Sequence, residues 1–416
     1  MNTQHPGSKS TSFLRSGWIV VLLMAVSAAV GQAFGRFSYG VLLPAVRDDM
    51  GISNTLAGFI GGANVGAYLL GTVLVSWIAG RYRLLAMMRL GFLMVVVGLF
   101  GAGISASPLG LASALALAGV GGALLWMPAP VVAAVAIPSH WRPLAVGLMG
   151  SGIGLGVVFA GSVSGSLRNS LGDAAWSNVY QIQFAFGFVV MIAVFLLVRH
   201  QQKAPSGGGG LGGFSALQRM RGWLPLILAY TCFGFMYLLV LGFLTTRLED
   251  DSGWTSANAS WAFSLLGLSM IFGGPLFTTM AQRLGVRFAL ILAFGLWPVF
   301  SLIVLTGLAL PVFLACVGIG FLFSALPSLI TLYVVENTTA GDYGASFAAA
   351  TLVFGVAQMI SPPIGGWIAD AAGSFTLVFL LSAVTSVIGL LATLRLPKRG
   401  ERCDAEKGIE KSNDIE

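Results

Sequence analysis

The sequence is a succession of twelve apolar runs, each close to the ~20 residues an α-helix needs to cross a bilayer. They fall at roughly residues 17–44, 54–79, 84–106, 109–137, 143–167, 178–198, 222–246, 256–280, 287–308, 311–335, 343–369 and 374–395. Continuous runs of this length leave one fold class, an all-α membrane protein, because lipid offers no partner to an unpaired backbone group. Charge agrees: only 9% of the 416 residues are charged, against about 25% in an ordinary soluble domain. The 56 glycines suit membrane helices, where small residues let backbones approach closely. The first run is too long for a signal-peptide core and lacks a small-residue cleavage site, so it reads as a retained span.

Lysine and arginine orient the spans. Of the 22, Arg47, Arg168 and Arg247 fall on one side and Arg36 lies within the first span. The remaining 18 lie on the side of both termini. The positive-inside rule therefore puts both termini in the cytoplasm. It also assigns the net charge of +7 to loops facing that side, not to a nucleic-acid partner. Short loops point to a bacterial inner plasma membrane. The expected partners are the lipid bilayer and a small-molecule substrate, with the chain acting as a monomer.

The segment 199–221 departs from the pattern. Arg199-His200-Gln201-Gln202-Lys203 leads into Pro205-Ser206 and four glycines, Gly207 to Gly210, the composition of a flexible linker. The expected organisation is a tail over 1–16, a six-helix half over 17–199, a linker over 200–221, a second half over 222–396 and a tail over 397–416. The halves repeat at an offset of about 202: Asp48-Asp49 pairs with Asp250-Asp251, Gly51 with Gly253, Ser53 with Thr255, Gly71 with Gly273, Ala79 with Ala281 and Arg81 with Arg283. Duplicated membrane halves point to a secondary transporter that rocks around a site near the midplane.

The loop Ala281-Gln282-Arg283-Leu284-Gly285-Val286-Arg287 and its counterpart Ala79-Gly80-Arg81-Tyr82-Arg83 resemble the signature loop of the major facilitator superfamily. The resemblance implies twelve helices in two pseudo-symmetric six-helix bundles, with Arg81, Arg83, Arg283 and Arg287 in cytoplasmic gate loops. Gly80 and Gln282 replace the family's acidic residue, which puts that latch in question. The glycine series Gly147, Gly150, Gly152, Gly154, Gly156 and the run Pro362-Pro363-Ile364-Gly365-Gly366 resemble the family's bundle-packing helices. The stretch Arg142 to Gly147 is also similar to the monocarboxylate and oxalate/formate carriers. The first two spans, with Gly35-Arg36-Phe37-Ser38-Tyr39 and Asn64-Val65-Gly66-Ala67-Tyr68, look most like the bacterial YbfB/YjiJ-like group.

Arg36 is the sharpest single signal, because an arginine at a span centre costs about 2.5–3.5 kcal/mol on insertion scales. Helical spacing puts Gln32, Arg36 and Tyr39 on one polar stripe. One reading is a site that binds an anion, such as a carboxylate, through a bidentate pair. The other is snorkelling: Arg36 lies about 27 Å beyond Trp18 at 1.5 Å per residue, near the far edge of a ~30 Å core. Pro44, taken as the span's outer end, favours the first reading by leaving Arg36 two turns deep. Further candidate substrate contacts are Asn64, Tyr68, Trp126, Tyr230, Tyr237 and Gln358, although side chains of these types more often join helix to helix or anchor at the interface. Pro128 and Pro327 are candidates for opening the backbone at a cavity.

No aspartate, glutamate or histidine falls within a predicted span away from its ends, so a buried proton relay is not expected. Exchange or facilitated diffusion stands beside proton-coupled transport. Neither a cofactor motif nor a metal-ligand spacing occurs, and intramembrane catalysis would need histidines or acids that the spans lack. The leading expectation is a secondary active or facilitative carrier of a small organic anion. The alternatives are an exporter of neutral or hydrophobic compounds and, behind it, a non-transporting membrane sensor.

Overall fold

The computed structural model describes residues 7–78, 81–198, 213–339 and 341–397. Among the described residues, twelve helices are long and apolar enough to cross a membrane. They are α1 (Gly17–Met50), α2 (Asn54–Ile78), α3 (Leu84–Gly103), α4 (Pro108–Val135), α5 (Ser139–Leu171), α6 (Asp173–Leu197), α7 (Trp223–Asp251), α8 (Ser256–Leu284), α9 (Val286–Val304), α10 (Ala309–Asn337), α11 (Tyr343–Ala372) and α12 (Thr376–Leu394). An even number of crossings leaves the ends of α1 and α12 on one side, here called the terminus side. Of the expected linker, residues 200–212 lie outside the described residues. Its last part holds a short helix, Gly213–Arg219, which is fixed to the start of α11 by an Arg219–Asp342 ion pair at 2.7 Å. The Arg219 guanidinium holds the Asp342 carboxyl below its ordinary value.

The repeat is visible as chemistry. Gly51 and Gly253 close α1 and α7 with left-handed φ of 60° and 68°, a conformation that costs glycine nothing. Two residues later Ser53 and Thr255 cap α2 and α8, accepting from the amides of Leu56 at 3.1 Å and Asn258 at 3.3 Å. On the terminus side Arg89, in the second turn of α3, donates to the carbonyls of Phe195 and Val198 at the end of α6. Arg287, at the start of α9, makes the same kind of contact with Leu394 of α12 at 2.6 Å. A cation at a helix C-terminus completes carbonyls that have no partner within the helix.

Pro44 does not end the first span, contrary to expectation. The helix continues through it to Met50. A proline inside a helix leaves the carbonyl four residues back without its bond, and Thr245 Oγ1 of α7 donates to that carbonyl, Gly40 O, at 2.9 Å. The same substitution occurs at Pro298, where Ser386 Oγ donates to Phe294 O at 2.8 Å. Within α1, residues Ala29–Phe37 form a π-helix. Ser38 Oγ donates to Ala33 O at 3.1 Å and accepts from Gln183 Nε2 of α6 at 2.8 Å, which braces the looser turn. Helix α4 is interrupted at Met127–Pro128, as expected for Pro128, whereas α10 runs through Pro327 unbroken.

Beside the contact of α1 with α7, two long seams join the halves, α2 against α11 and α5 against α8. In the first, Gly58 and Gly62 lie against the backbone of Pro362 and Met359, while Gly66 and Gly355 lie against the side chains of Met359 and Leu69. In the second, Gly154 meets Gly267 and Gly161 meets Ser260 and Ser264. A Cβ on any of these seven glycines would press into the partner helix, which is how small residues bring membrane helices together. The second seam stops short. Gly147 and Gly150 continue the stripe of Gly154 and Gly161 toward the terminus side, yet nothing lies within 4 Å of a Cβ placed on either. The halves are therefore closed together on the far side and splayed apart along α5 on the terminus side.

Candidate substrate site

Arg36 stands near the middle of the 34-residue first span, because the helix runs on past Pro44. Its side chain bridges the two halves. Nη2 donates to Tyr237 Oη on α7 at 3.2 Å and to Gln358 Oε1 on α11 at 2.5 Å. The guanidinium carbon sits 4.5 Å from the ring centre of Tyr68 on α2, within cation–π range. Nε is buried without a hydrogen bond. No carboxylate forms an ion pair with Arg36 among the described residues. An arginine reaching inward at this depth, half-buried and tied to both halves, is not snorkelling to headgroups.

Other residues hold it in place. Asn64 donates from Nδ2 to Gly35 O at 2.9 Å and to Leu115 O at 2.6 Å, joining α2 to the backbone beside Arg36 and to α4. Gln32 donates to Gly122 O at 3.5 Å and lies within bonding reach of Tyr68. The expected Gln32–Arg36–Tyr39 stripe diverges at its end. Tyr39 Oη donates to Ala57 O at 2.9 Å, and Tyr39 borders a cavity of about 40 Å³ on the far side of Arg36. Spacing at 3.6 residues per turn could not foresee this, since the π-turn shifts the register between Gln32 and Tyr39. Trp126 is half-buried beside the α4 break and shows no hydrogen bond or ring contact with the Arg36 group among the described residues.

Aromatic rings complete the site. Tyr230 stacks on Phe354 with centroids 4.2 Å apart, Phe354 faces Phe233 at 5.7 Å, and Phe233 faces Tyr237 at 5.1 Å. Phe323 meets Tyr237 edge-on at 5.1 Å and Phe37 at 5.6 Å. Tyr230 and Tyr237 are among the candidate contacts that the sequence offers. The phenylalanines are not, because in so apolar a sequence a buried ring on α10 or α11 carries no mark of the site. The gate-loop arginines lie on the terminus side, where α5 and α8 stand apart. Arg81 covers the Trp77 ring at 4.9 Å, Arg83 precedes α3 with extended backbone, Arg283 is exposed near the end of α8, and Arg287 caps α12.

Two similar six-helix halves, closed on one face and parted along α5 on the other around a polar cluster at mid-depth, make a membrane carrier and not an enzyme. The chain belongs to the family described as "Uncharacterised MFS-type transporter YbfB", which it matches over residues 28–394. It is 25% identical over 372 residues to the "Uncharacterized MFS-type transporter YceJ" of Bacillus subtilis (strain 168), covering 85% of this chain and 84% of that one. It is 24% identical over 409 residues to the "Hexuronate transporter" of the same organism, covering 90% and 93%. Its fold matches a bacterial homologue of the human lysosomal transporter Spinster, solved inward-facing and unoccupied. That match has a TM-score of 0.73 and 15% identity over 91% of this chain and 97% of that one.

Proposed function

We propose that this carrier moves a small organic anion, a carboxylate, with Arg36 as its anchor. The observation that carries the reading is an intramembrane guanidinium that, among the described residues, is hydrogen-bonded to neutral groups of the second half and covers a tyrosine ring of the first, with no carboxylate beside it. A buried charge without a counter-charge is costly, and an incoming carboxylate supplies it through a charge-assisted pair. Binding at a residue shared by α1, α7 and α11 would also draw the halves together, as alternating access requires. The similarity to a hexuronate transporter supports an anionic cargo. Orientation follows from the distribution of lysine and arginine: the terminus side is cytoplasmic, the membrane is a bacterial inner membrane, and the state described here faces inward. The carrier works as a monomer.

The experiment is uptake of radiolabelled organic acids into proteoliposomes, comparing wild type with Arg36→Ala and Arg36→Lys. Arg36→Ala is expected to abolish anion flux and Arg36→Lys to reduce it at least tenfold, since an ammonium cannot reproduce the bidentate fork. Anion flux unchanged by both substitutions would overturn the reading. One observation favours a second reading, export of neutral hydrophobic compounds: the aromatic rings around the site would suit such cargo, whereas Arg36 would have no role in it.

A further inference from the structure

Resting on the carboxylate reading, we infer that the cargo is an aromatic carboxylate, not a sugar acid or a short aliphatic one. The geometry around Arg36 points to this. Phe323 on α10 and Phe354 on α11 both pack against Tyr237 and Phe233, at centroid distances of 5.1–6.3 Å. Both are only half-buried, although each is turned inward: Phe323 meets Phe37 of the other half, and Phe354 stands one turn from Gln358, which holds Arg36. Their exposed surface therefore faces internal space between the halves, beside the guanidinium. Tyr237 is common to both parts, its hydroxyl on Arg36 and its ring against Phe323.

A carboxylate held by Arg36 has two directions in which to place the rest of its molecule. The far side offers a cavity of about 40 Å³, well short of the ~150 Å³ that accommodates a benzene ring. The other direction is bounded by Phe323 and Phe354, and rings prefer to meet rings edge-on or offset at such spacings. Sugar acids carry several hydroxyls, each of which must find a partner when it leaves water. Several polar groups here are already engaged: Gln358 and Tyr237 accept from Arg36, Asn64 donates to Gly35 and Leu115, and Tyr39 donates to Ala57. The site has one strong anion anchor and an aromatic wall, which is the complement of an aryl carboxylate.

The test is equilibrium binding of radiolabelled benzoate to the purified full-length carrier in lipid nanodiscs, competed by unlabelled benzoate, butyrate and glucuronate. The same measurements are made on Phe323→Leu, Phe354→Leu and Arg36→Ala, with thermal unfolding as the check on folding. Benzoate is expected to bind at least tenfold tighter than butyrate or glucuronate. Each leucine variant should lose most of that preference, and Arg36→Ala should lose binding of all three. Butyrate or glucuronate binding in preference to benzoate, still dependent on Arg36, overturns the aromatic inference and leaves the carboxylate reading standing. A benzoate preference unchanged in both leucine variants also overturns it. No Arg36-dependent binding of any of the three overturns both. The comparison within wild type decides the matter even if a variant fails to fold.

Discussion

Arg47, at the end of α1, and Asp250, at the end of α7, form an ion pair across the two halves. Nη2 of Arg47 reaches Oδ1 of Asp250 at 3.0 Å and Nη1 reaches Oδ2. Asp250 is the repeat partner of Asp48, which Arg47 also binds, at 2.7 Å, so one arginine holds the same position of both halves. A partly exposed pair contributes about 0.2–1 kcal/mol, enough to bias an equilibrium between two states by up to about fivefold. We predict that Arg47→Asp opens the far side. A cysteine placed at Leu43, which borders the small cavity, should then react faster with a membrane-impermeant thiol reagent added from that side. The double variant Arg47→Asp with Asp250→Arg should restore slow labelling, and failure to restore it would remove the pair from the latch.

The deeper latch is Arg168 of α5 with Glu249 of α7. Its two hydrogen bonds are 2.8 and 2.7 Å long, and the arginine side chain is 1% exposed. Breaking one partner of a buried pair costs about 3–5 kcal/mol. Glu249→Gln, which leaves the Arg168 charge with Asp173 alone, is predicted to loosen the far side more than Arg47→Asp does. The check is the same labelling rate at Leu43→Cys, and a smaller increase than that of Arg47→Asp would contradict the ranking.

Gly150 and Gly154 lie on one stripe of α5, but only Gly154 touches α8. Gly150→Leu is therefore predicted to leave folding and Arg36-dependent binding intact in the open state. Transport should fall at least tenfold, because closing the terminus side brings α8 onto that stripe. Parallel binding and uptake measurements test this. Undiminished uptake would mean that the seam never closes there.

Asn64→Ala removes two buried helix–helix hydrogen bonds, each contributing about 0.6 kcal/mol and at most ~1.7 in membrane proteins. The predicted loss is about 1–3 kcal/mol of stability, read as a lower thermal midpoint, with anion binding weakened less than in Arg36→Ala. Binding lost completely at an unchanged midpoint would instead make Asn64 a direct contact.

Much of this architecture is legible in the sequence because local chemistry produces it. Span lengths follow from bilayer thickness, and Gly51, Gly253, Ser53 and Thr255 mark the repeat with the same turn and cap in each half. Arg36 stands out because a charge inside a span is rare. The partners of Arg36 are less legible, since Tyr237 and Gln358 lie 201 and 322 residues away and nothing local links them to it. Pro44 misled as a stop signal because the group that rescues Gly40 O, Thr245, belongs to the other half. The cross-half ion pairs were hidden for the same reason: Arg168, Glu249 and Asp250 read individually as loop-end charges.

The π-helix of α1 has a consequence for how this chain tolerates change in length. Its bonds run five residues back, as from Ser38 N–H to Ala33 O, so the turn carries slack that an α-helix lacks. Removing one residue, for example Ala33, should let the segment heal into ordinary α-helix. A deletion inside a membrane span would then be harmless to folding, yet it would change the angle about the axis between Gln32 and Arg36. Such a variant should melt no earlier than wild type and bind no anion. Lower stability with binding retained would show that the slack serves the fold alone. The first span is in this sense spliced from two helices out of phase, and the site sits at the splice.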